Sequence, residues 1–212
     1  MVIDLKKCTG CRTCVISCKV ENGTQPGVFW NRVGIKEEGV FPNVRRIPVP
    51  VACQHCEDPP CVKVCPSKAS IRREDGIVII DEDKCIGCRY CMMACPYGAR
   101  FFIDHLKNYF PNSITPFEKW HREKGWHKHT KGVCEKCDFC LHRVERGLKK
   151  GLKPGINGDA TPKCVVDCPS KARYFGDLDD PTSEVSQLIR KYGGFRLLKE
   201  IGTNPSVYYL PP

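Results

Sequence analysis

A chain of 212 residues that is 41% hydrophobic can bury a modest core of its own, so it does not depend on the disulfide framework of small secreted domains. No stretch reaches the roughly eighteen apolar residues of a membrane span. A formal charge of +10 leaves nucleic acid or an anionic surface to be weighed as partners.

In chain order, Val2-Ile3-Asp4 reads as a strand and leads into Cys8-x2-Cys11-x2-Cys14-x3-Cys18. A second run follows, Cys53-x2-Cys56-x4-Cys61-x3-Cys65-Pro66. Ser70-Ile71-Arg72, a turn at Asp75-Gly76 and Ile77–Ile80 predict a β-hairpin before the third run, Cys85-x2-Cys88-x2-Cys91-x3-Cys95-Pro96. Segment 104–133 carries His105, Trp120, His121, Trp126, His127 and His129. Its His127-x-His129 pair lacks a convincing third ligand nearby, and it reads either as a subunit-docking loop or as a plain basic loop. The fourth cysteine group is split: Cys134, Cys137 and Cys140, a gap over 141–163, then Cys164-x3-Cys168-Pro169. Residues 180–194 predict a helix capped by Asp180, with Pro181 in the first turn and Gly193-Gly194 at the end. Its apolar face is Val185, Leu188, Ile189 and Tyr192. The tail from Asn204 to Pro212 has little visible to bury itself against and is expected to extend across a partner.

Of these thiols, sixteen suffice for four 4Fe–4S cubes with four ligands each. A Cys-x2-Cys-x2-Cys loop wraps one face of a cube and supplies three thiolates. The fourth comes from a distant run, as in two-cluster ferredoxins. The proline after the last cysteine ends the short helix that carries it. Structural zinc explains Cys-x2-Cys pairs, but not the third cysteine at the next x2 step or the x3-Cys-Pro ending. Cysteines two residues apart in a tight loop are poorly placed to bridge one another.

The chain also repeats itself. Lys7-Cys8-Thr9-Gly10-Cys11-Arg12 recurs as Lys84-Cys85-Ile86-Gly87-Cys88-Arg89, and Cys65-Pro66-Ser67-Lys68-Ala69 recurs as Cys168-Pro169-Ser170-Lys171-Ala172. The stretch 66–84 has the spacing of a compact dicluster ferredoxin, whereas 19–52 and 96–133 are longer. The expected fold is therefore α+β: two dicluster-ferredoxin-like modules, one inserted in the other, with loop insertions, a C-terminal helix and an extended tail. The inner module would be 51–103. The outer would be 1–50 with 104–212, including a C-terminal docking extension. Exchange of the last cysteine assigns the inner clusters to Cys53, Cys56, Cys61 with Cys95, and to Cys85, Cys88, Cys91 with Cys65. The outer clusters fall to Cys8, Cys11, Cys14 with Cys168, and to Cys137, Cys140, Cys164 with Cys18. Cys134 is then a free thiol, or it ligates in place of Cys140, since both lie one x2 step from Cys137. His55, between two ligands, is either a hydrogen-bond donor to sulfur or a structural residue.

This layout resembles the four-cluster subunits of dimethyl-sulfoxide-reductase-type molybdopterin oxidoreductases, among them polysulfide, thiosulfate, tetrathionate and arsenate reductases. The resemblance rests on Cys53-Gln54-His55-Cys56 with Pro59-Pro60-Cys61, on Cys95-Pro96-Tyr97-Gly98-Ala99-Arg100, and on Lys136-Cys137-Asp138-Phe139-Cys140 with Arg143. Gly176–Pro181 with Val185–Ile189 is similar to the arsenate and sulfur-compound branches. It implies a non-catalytic electron-transfer subunit with four 4Fe–4S clusters. The partners implied are a large molybdenum or tungsten pterin catalytic subunit and an integral membrane subunit that reacts with quinone, in anaerobic respiration on a sulfur or arsenic oxyanion. Some relatives place Trp in the third run and hold a three-iron cluster there; here Cys85, Cys88, Cys91 and Cys95 are all present. The gap at 141–163 is longer than the family usually has. A rival reading is the similar subunit of a hydrogenase, formate-lyase or carbon-monoxide dehydrogenase system. A second is a zinc-stabilised binding module.

Four cubes would bring about eight negative charges, which leaves the loaded protein near neutral and removes the case for nucleic acid. Lys7, Arg12, Lys84 and Arg89 beside the ligands either raise cluster potentials or are merely solvated. The N-terminal residues enter a strand at once, so no signal peptide is expected. The chain would associate with the membrane through its complex, on the cytoplasmic face or after folded export with a partner bearing a twin-arginine signal.

Overall fold

In a computed structural model that describes residues 1–212, the cysteine runs sit on loops and single-turn helices pinned between small sheets. The elements are β1 (Val2–Asp4), α1 (Thr13–Asn22), β2 (Arg32–Val40), β3 (Asn43–Val51), α2 (Pro60–Lys63), β4 (Ser70–Arg72), β5 (Val78–Ile80), α3 (Tyr90–Met93) and β6 (Phe101–Phe102). There follow α4 (Pro116–Lys124), β7 (Cys134–Glu135), α5 (Leu141–Lys149), α6 (Lys163–Val166), β8 (Arg173–Tyr174), α7 (Glu184–Tyr192) and β9 (Tyr208–Leu210). Helices α2, α3 and α6 are a single turn each because a proline follows the next cysteine and cannot continue the ladder.

Strand β1 is the centre of a three-stranded sheet, antiparallel to β8 and parallel to β9. Both ends of the chain therefore meet in one sheet. The predicted hairpin between the second and third runs is β4–β5, with Ser70 opposite Ile80 and Arg72 opposite Val78. Strand β6 pairs with β7, so the stretch carrying Cys134 is stitched to the third run rather than only to the fourth group.

A long antiparallel arm, β2–β3, has no counterpart among the sequence expectations. Its alternating pattern is diluted by charge, and Pro48 and Pro50 argue against a central strand; they are tolerated in a two-stranded ribbon with open edges. The arm's outer half is exposed, with Val40 and Phe41 at the tip. Its base is clamped: Arg32 donates to the carbonyls of Tyr97 and Gly98, and Tyr209 Oη donates to the Pro50 carbonyl at 2.8 Å.

Two C-terminal expectations need correction. The helix begins later than the sequence suggests: Ser183, not Asp180, is its cap and accepts from Ser186 N at 3.3 Å, while Asp180 turns its carboxylate onto Thr182. Pro181 accordingly lies outside the first turn. Val185, Leu188 and Ile189 do pack, against Val2 and Leu210, but Tyr192 stays half-exposed. The tail does not leave the molecule. Val207, Tyr209 and Leu210 are buried, and Tyr209 is fully enclosed. Pairing with β1 supplies the apolar partner that the sequence alone does not reveal.

Candidate iron–sulfur centres

Four cavities open inside the fold, and each is walled by one of the expected cysteine quartets. The first gathers Cys65, Cys85, Cys88 and Cys91. The second gathers Cys53, Cys56, Cys61 and Cys95. The third gathers Cys18, Cys137, Cys140 and Cys164, and the fourth Cys8, Cys11, Cys14 and Cys168. Cys134 lines the first cavity beside Cys91, whereas Cys137 and Cys140 line the third. The alternative in which Cys134 stands in for Cys140 therefore has no support in its placement.

The cavities form a row, because neighbours share walls. Arg100 lines both the first and the second; Cys53 and Gln54 line the second and the third; Arg173 lines the third and the fourth. The ends of the row reach solvent through the exposed Cys88 and Cys11. In the middle, the third cavity has four buried cysteines, and the second has three with Cys95 partly covered.

Local backbone geometry carries the duplication. Arg12 and Arg89 have φ of 62° and 63°, Lys68 and Lys171 of 55° and 51°, and His55 and Phe139 of 44° and 60°. These left-handed residues turn each loop so that successive sulfurs face one point. The copies His55 and Phe139 meet, their rings stacked 3.7 Å apart. His55 Nδ1 accepts from Val78 N at 3.1 Å, so its proton sits on Nε2, which is buried without a protein partner. At Gly87 a side chain would strike the Gly132 carbonyl, and φ there is +69°. Both facts require glycine in the third run.

The donor sets suit a cationic guest. Burial pushes the thiols of Cys18 and Cys140 far up, with crowding by neighbouring cysteines adding to it; Cys56 is pushed up to about 12. Such sulfurs become thiolates only beside positive charge. Arg100, buried, donates to Cys61 Sγ at 2.9 Å and to Ser70 Oγ at 2.7 Å. Burial opposes the charge of Arg173, but the sulfurs of Cys164 and Cys14 outweigh it and hold the guanidinium ionised. Its Nε and Nη1 are buried without partners and lie on cavity walls. Two guanidinium charges do not balance sixteen thiolates; iron does. The orphaned donors of Arg173 on the cavity walls and the thiols around them together fit 4Fe–4S cubes.

Asn22 is a further residue that sequence reasoning missed. Its Nδ2 lies 3.6 Å from Cys18 Sγ and 3.8 Å from Cys140 Sγ. Arg173 had a legible signal: it follows Cys168-Pro169 at the offset by which Arg100 follows Cys95-Pro96. The surface cations instead find other partners, Arg89 over the Phe102 ring at 3.8 Å and Lys84 on Asp81 at 3.1 Å. Segment 104–133 is not a bare loop either. Thr115 and Glu118 form a capping box on α4. His121 and His129 are buried, His129 between Glu135 Oε1 and the Asn22 carbonyl, both at 2.7 Å. Within 141–163, α5 is anchored by Arg143, which donates to the carbonyls of Thr161 and Gly158.

Residues 44–110 match the 4Fe-4S dicluster domain family. Over 99% of its length the chain is 45% identical to a Halobacterium salinarum protein assigned as an iron–sulfur subunit of dimethyl sulfoxide reductase, covering 78% of that protein. It is 43% identical over 99% of its length to a subunit of the selenate reductase of Mesobacillus selenatarsenatis, covering 70% of it. It is 38% identical over 99% to the arsenate respiratory reductase iron–sulfur subunit of Shewanella sp., covering 94% of that chain. The chain belongs to the 4Fe–4S electron-transfer subunits of the dimethyl sulfoxide reductase family. As such a subunit it holds 4Fe–4S clusters, with cysteines enough for four, and it works in electron transfer beside a catalytic partner. No helix is long and apolar enough to cross a membrane.

Proposed function

We propose that this chain passes single electrons along four 4Fe–4S clusters between a molybdopterin catalytic subunit and a membrane subunit that exchanges electrons with quinone. The observation that carries this reading is the row of four thiol-walled cavities with shared walls, sheltered in the middle and exposed at both ends. A bound 4Fe–4S cluster takes up or releases one electron without making or breaking a bond to substrate. In order along the row, the ligands are Cys65, Cys85, Cys88, Cys91; then Cys53, Cys56, Cys61, Cys95; then Cys18, Cys137, Cys140, Cys164; then Cys8, Cys11, Cys14, Cys168.

The remaining residues hold, shield and tune these sites. Arg100, Arg173 and Asn22 place hydrogen-bond donors and positive charge beside the sulfurs, which favours the reduced state. Trp30, Val15, Phe139 and Tyr209 exclude water around the middle of the row. The nested organisation, 51–103 within 1–50 and 104–212, is supported by the β4–β5 hairpin and by β1 gripping β8 and β9. The β6–β7 pairing crosses that boundary. The names of the relatives point to an oxyanion of sulfur, selenium or arsenic as the partner's substrate.

The test is anaerobic purification of the complex with metal analysis and a redox titration followed by EPR. The reading expects molybdenum or tungsten in the large subunit and about sixteen irons per copy of this chain. It also expects quinol-dependent reduction of every cluster. Nickel in the partner, or zinc in place of iron, defeats it.

A further inference from the structure

Three side chains that the quartets leave unused converge beside the third cavity. His127 comes from the stretch between α4 and β7, Asp138 from the loop between Cys137 and Cys140, and His142 from the first turn of α5. One donor atom of each lies within 4.8 Å of both others. His127 Nε2 is 3.7 Å from Asp138 Oδ2 and 3.2 Å from Asn22 Oδ1, which accepts its proton, so a cation on Nε2 replaces that hydrogen bond and leaves the proton on Nδ1. All three open onto one surface cavity that also holds Glu82, Asp83 and Glu145.

His142 supplies a second, independent observation. Its side chain is only 10% exposed and its Nε2 lies 2.9 Å from Glu21 Oε1. A carboxylate accepts, so Nε2 carries a proton, and in the neutral ring Nδ1 presents its lone pair. Nδ1 is buried with no donor facing it. A buried acceptor left unmet loses its hydration and gains nothing in return, which is a standing cost to the fold. Trp126 stacks on the face of the ring at 4.9 Å and 6°. The other two groups also have neighbours. Trp30 packs edge-on against His127 at 4.8 Å, and Asp138 Oδ1 accepts from Cys140 N at 2.9 Å, which leaves Oδ2 for another partner. The neighbouring Lys136 is committed to the carbonyls of Val78 and Cys137.

We infer that His127, Asp138 and His142 bind a divalent first-row cation, with zinc as the representative ion. Two imidazoles and one carboxylate are a recognised donor set for such ions. Glu21 is the outer carboxylate that fixes the tautomer and direction of the ligating histidine. Bonds of about 2.0–2.2 Å require donors about 3.3–3.6 Å apart, and the Asp138–His127 pair is nearly there. The remaining closure is within side-chain rotation. The ion ties segment 104–133 to the fourth cysteine group and to α5. It also sets a fixed positive charge against the wall formed by Cys137 and Cys140.

The experiment uses the iron-loaded complex, dialysed against a mild chelator and titrated with Zn²⁺. Bound zinc is counted by mass spectrometry and its ligands are read by zinc K-edge absorption. One zinc per chain is expected, with only nitrogen and oxygen neighbours at about 2.0–2.2 Å. His142→Gln should abolish binding without loss of iron, and Glu21→Gln should weaken it about 10- to 100-fold. Zinc–sulfur scattering at about 2.3 Å would mean that zinc sits in cluster positions, and it would overturn the inference. So would zinc uptake that His127→Gln and His142→Gln together leave unchanged. The absorption spectrum of the unsubstituted complex decides the matter even if a variant fails to fold.

Discussion

The two end cavities take three cysteines each from the first and third runs, the two middle cavities from the second and fourth groups, and the two kinds meet solvent differently. In the third cavity Cys18, Cys137, Cys140 and Cys164 are all buried, and Asn22 and Arg173 stand over them. In the first and fourth, Cys88 and Cys11 are exposed, and the loops around them, Ile86 included, lie at the surface. Ligand spacing and exposure go together: the x2, x2 runs lie at the ends, and the Cys-x2-Cys pairs closed by a later cysteine lie in the middle. Under the proposed function, position in the row decides which sites can exchange electrons with a partner and which can only relay them. The middle sites gain protection from water and oxidant, and burial of many thiols there makes them depend on their guest for stability.

The largest effect should come from breaking the relay. Replacing Cys164 by Ala removes one ligand of the third cavity, and about four irons per chain should be lost or rearranged. Quinol-linked turnover should fall to background, while dye-linked turnover at the catalytic subunit persists. Iron analysis and the paired assays check this. Equal loss in both assays would mean that the substitution unfolds the chain rather than cutting the row.

Next, graded oxidation should separate ends from middle. Limited ferricyanide treatment should strip an iron first from the sites of Cys11 and Cys88, which would appear as three-iron EPR signals. Loss starting at the Cys164 site would contradict the burial argument. Smaller in scale, Arg100→Met and Arg173→Met each remove a buried cation that sits between two sites. Each should cost about 3–5 kcal/mol of stability. Each should also lower the reduction potentials of the adjoining pair, because the more negative reduced state loses its positive neighbour. Denaturation and potentiometric titration measure the two effects separately. The smallest effect should follow Cys134→Ser. Cys134 lies beside Cys91 on the wall of the first cavity and is not one of its expected four ligands, so its loss should alter the spectrum of the first site without loss of iron. Cys140→Ser should cost a cluster.

Much of the site was readable because cluster loops are local: the x2, x2, x3-Cys-Pro spacing specifies three ligands and a chain reversal at once. The exchange of fourth ligands is carried over from two-cluster ferredoxins and remains a proposal, though each quartet does line one cavity; the 66–84 hairpin was legible in its Asp75-Gly76 turn. What stayed hidden depends on contacts distant in sequence. Tyr209 looks like an exposed tail residue until β1 is placed beside it. Arg173 looks like a solvated cation until Cys14 and Cys164 are brought around it. The arm β2–β3 carries too much charge for periodicity to announce it, and its base is defined by Arg32 reaching the carbonyls after Cys95. Asp180 lost the capping position to Ser183 because its carboxylate is satisfied within its own turn by Thr182.

The central claim is a single row of four sites, and magnetic coupling in the fully reduced, anaerobically prepared protein tests it most directly. The spectrum of the unsubstituted chain should be compared with that of Cys56→Ala, in which the second site is lost. The row predicts that the site of Cys65, Cys85, Cys88 and Cys91 then becomes magnetically isolated while the third and fourth sites stay coupled. If the first site keeps its coupling undiminished, the sites are not in a row.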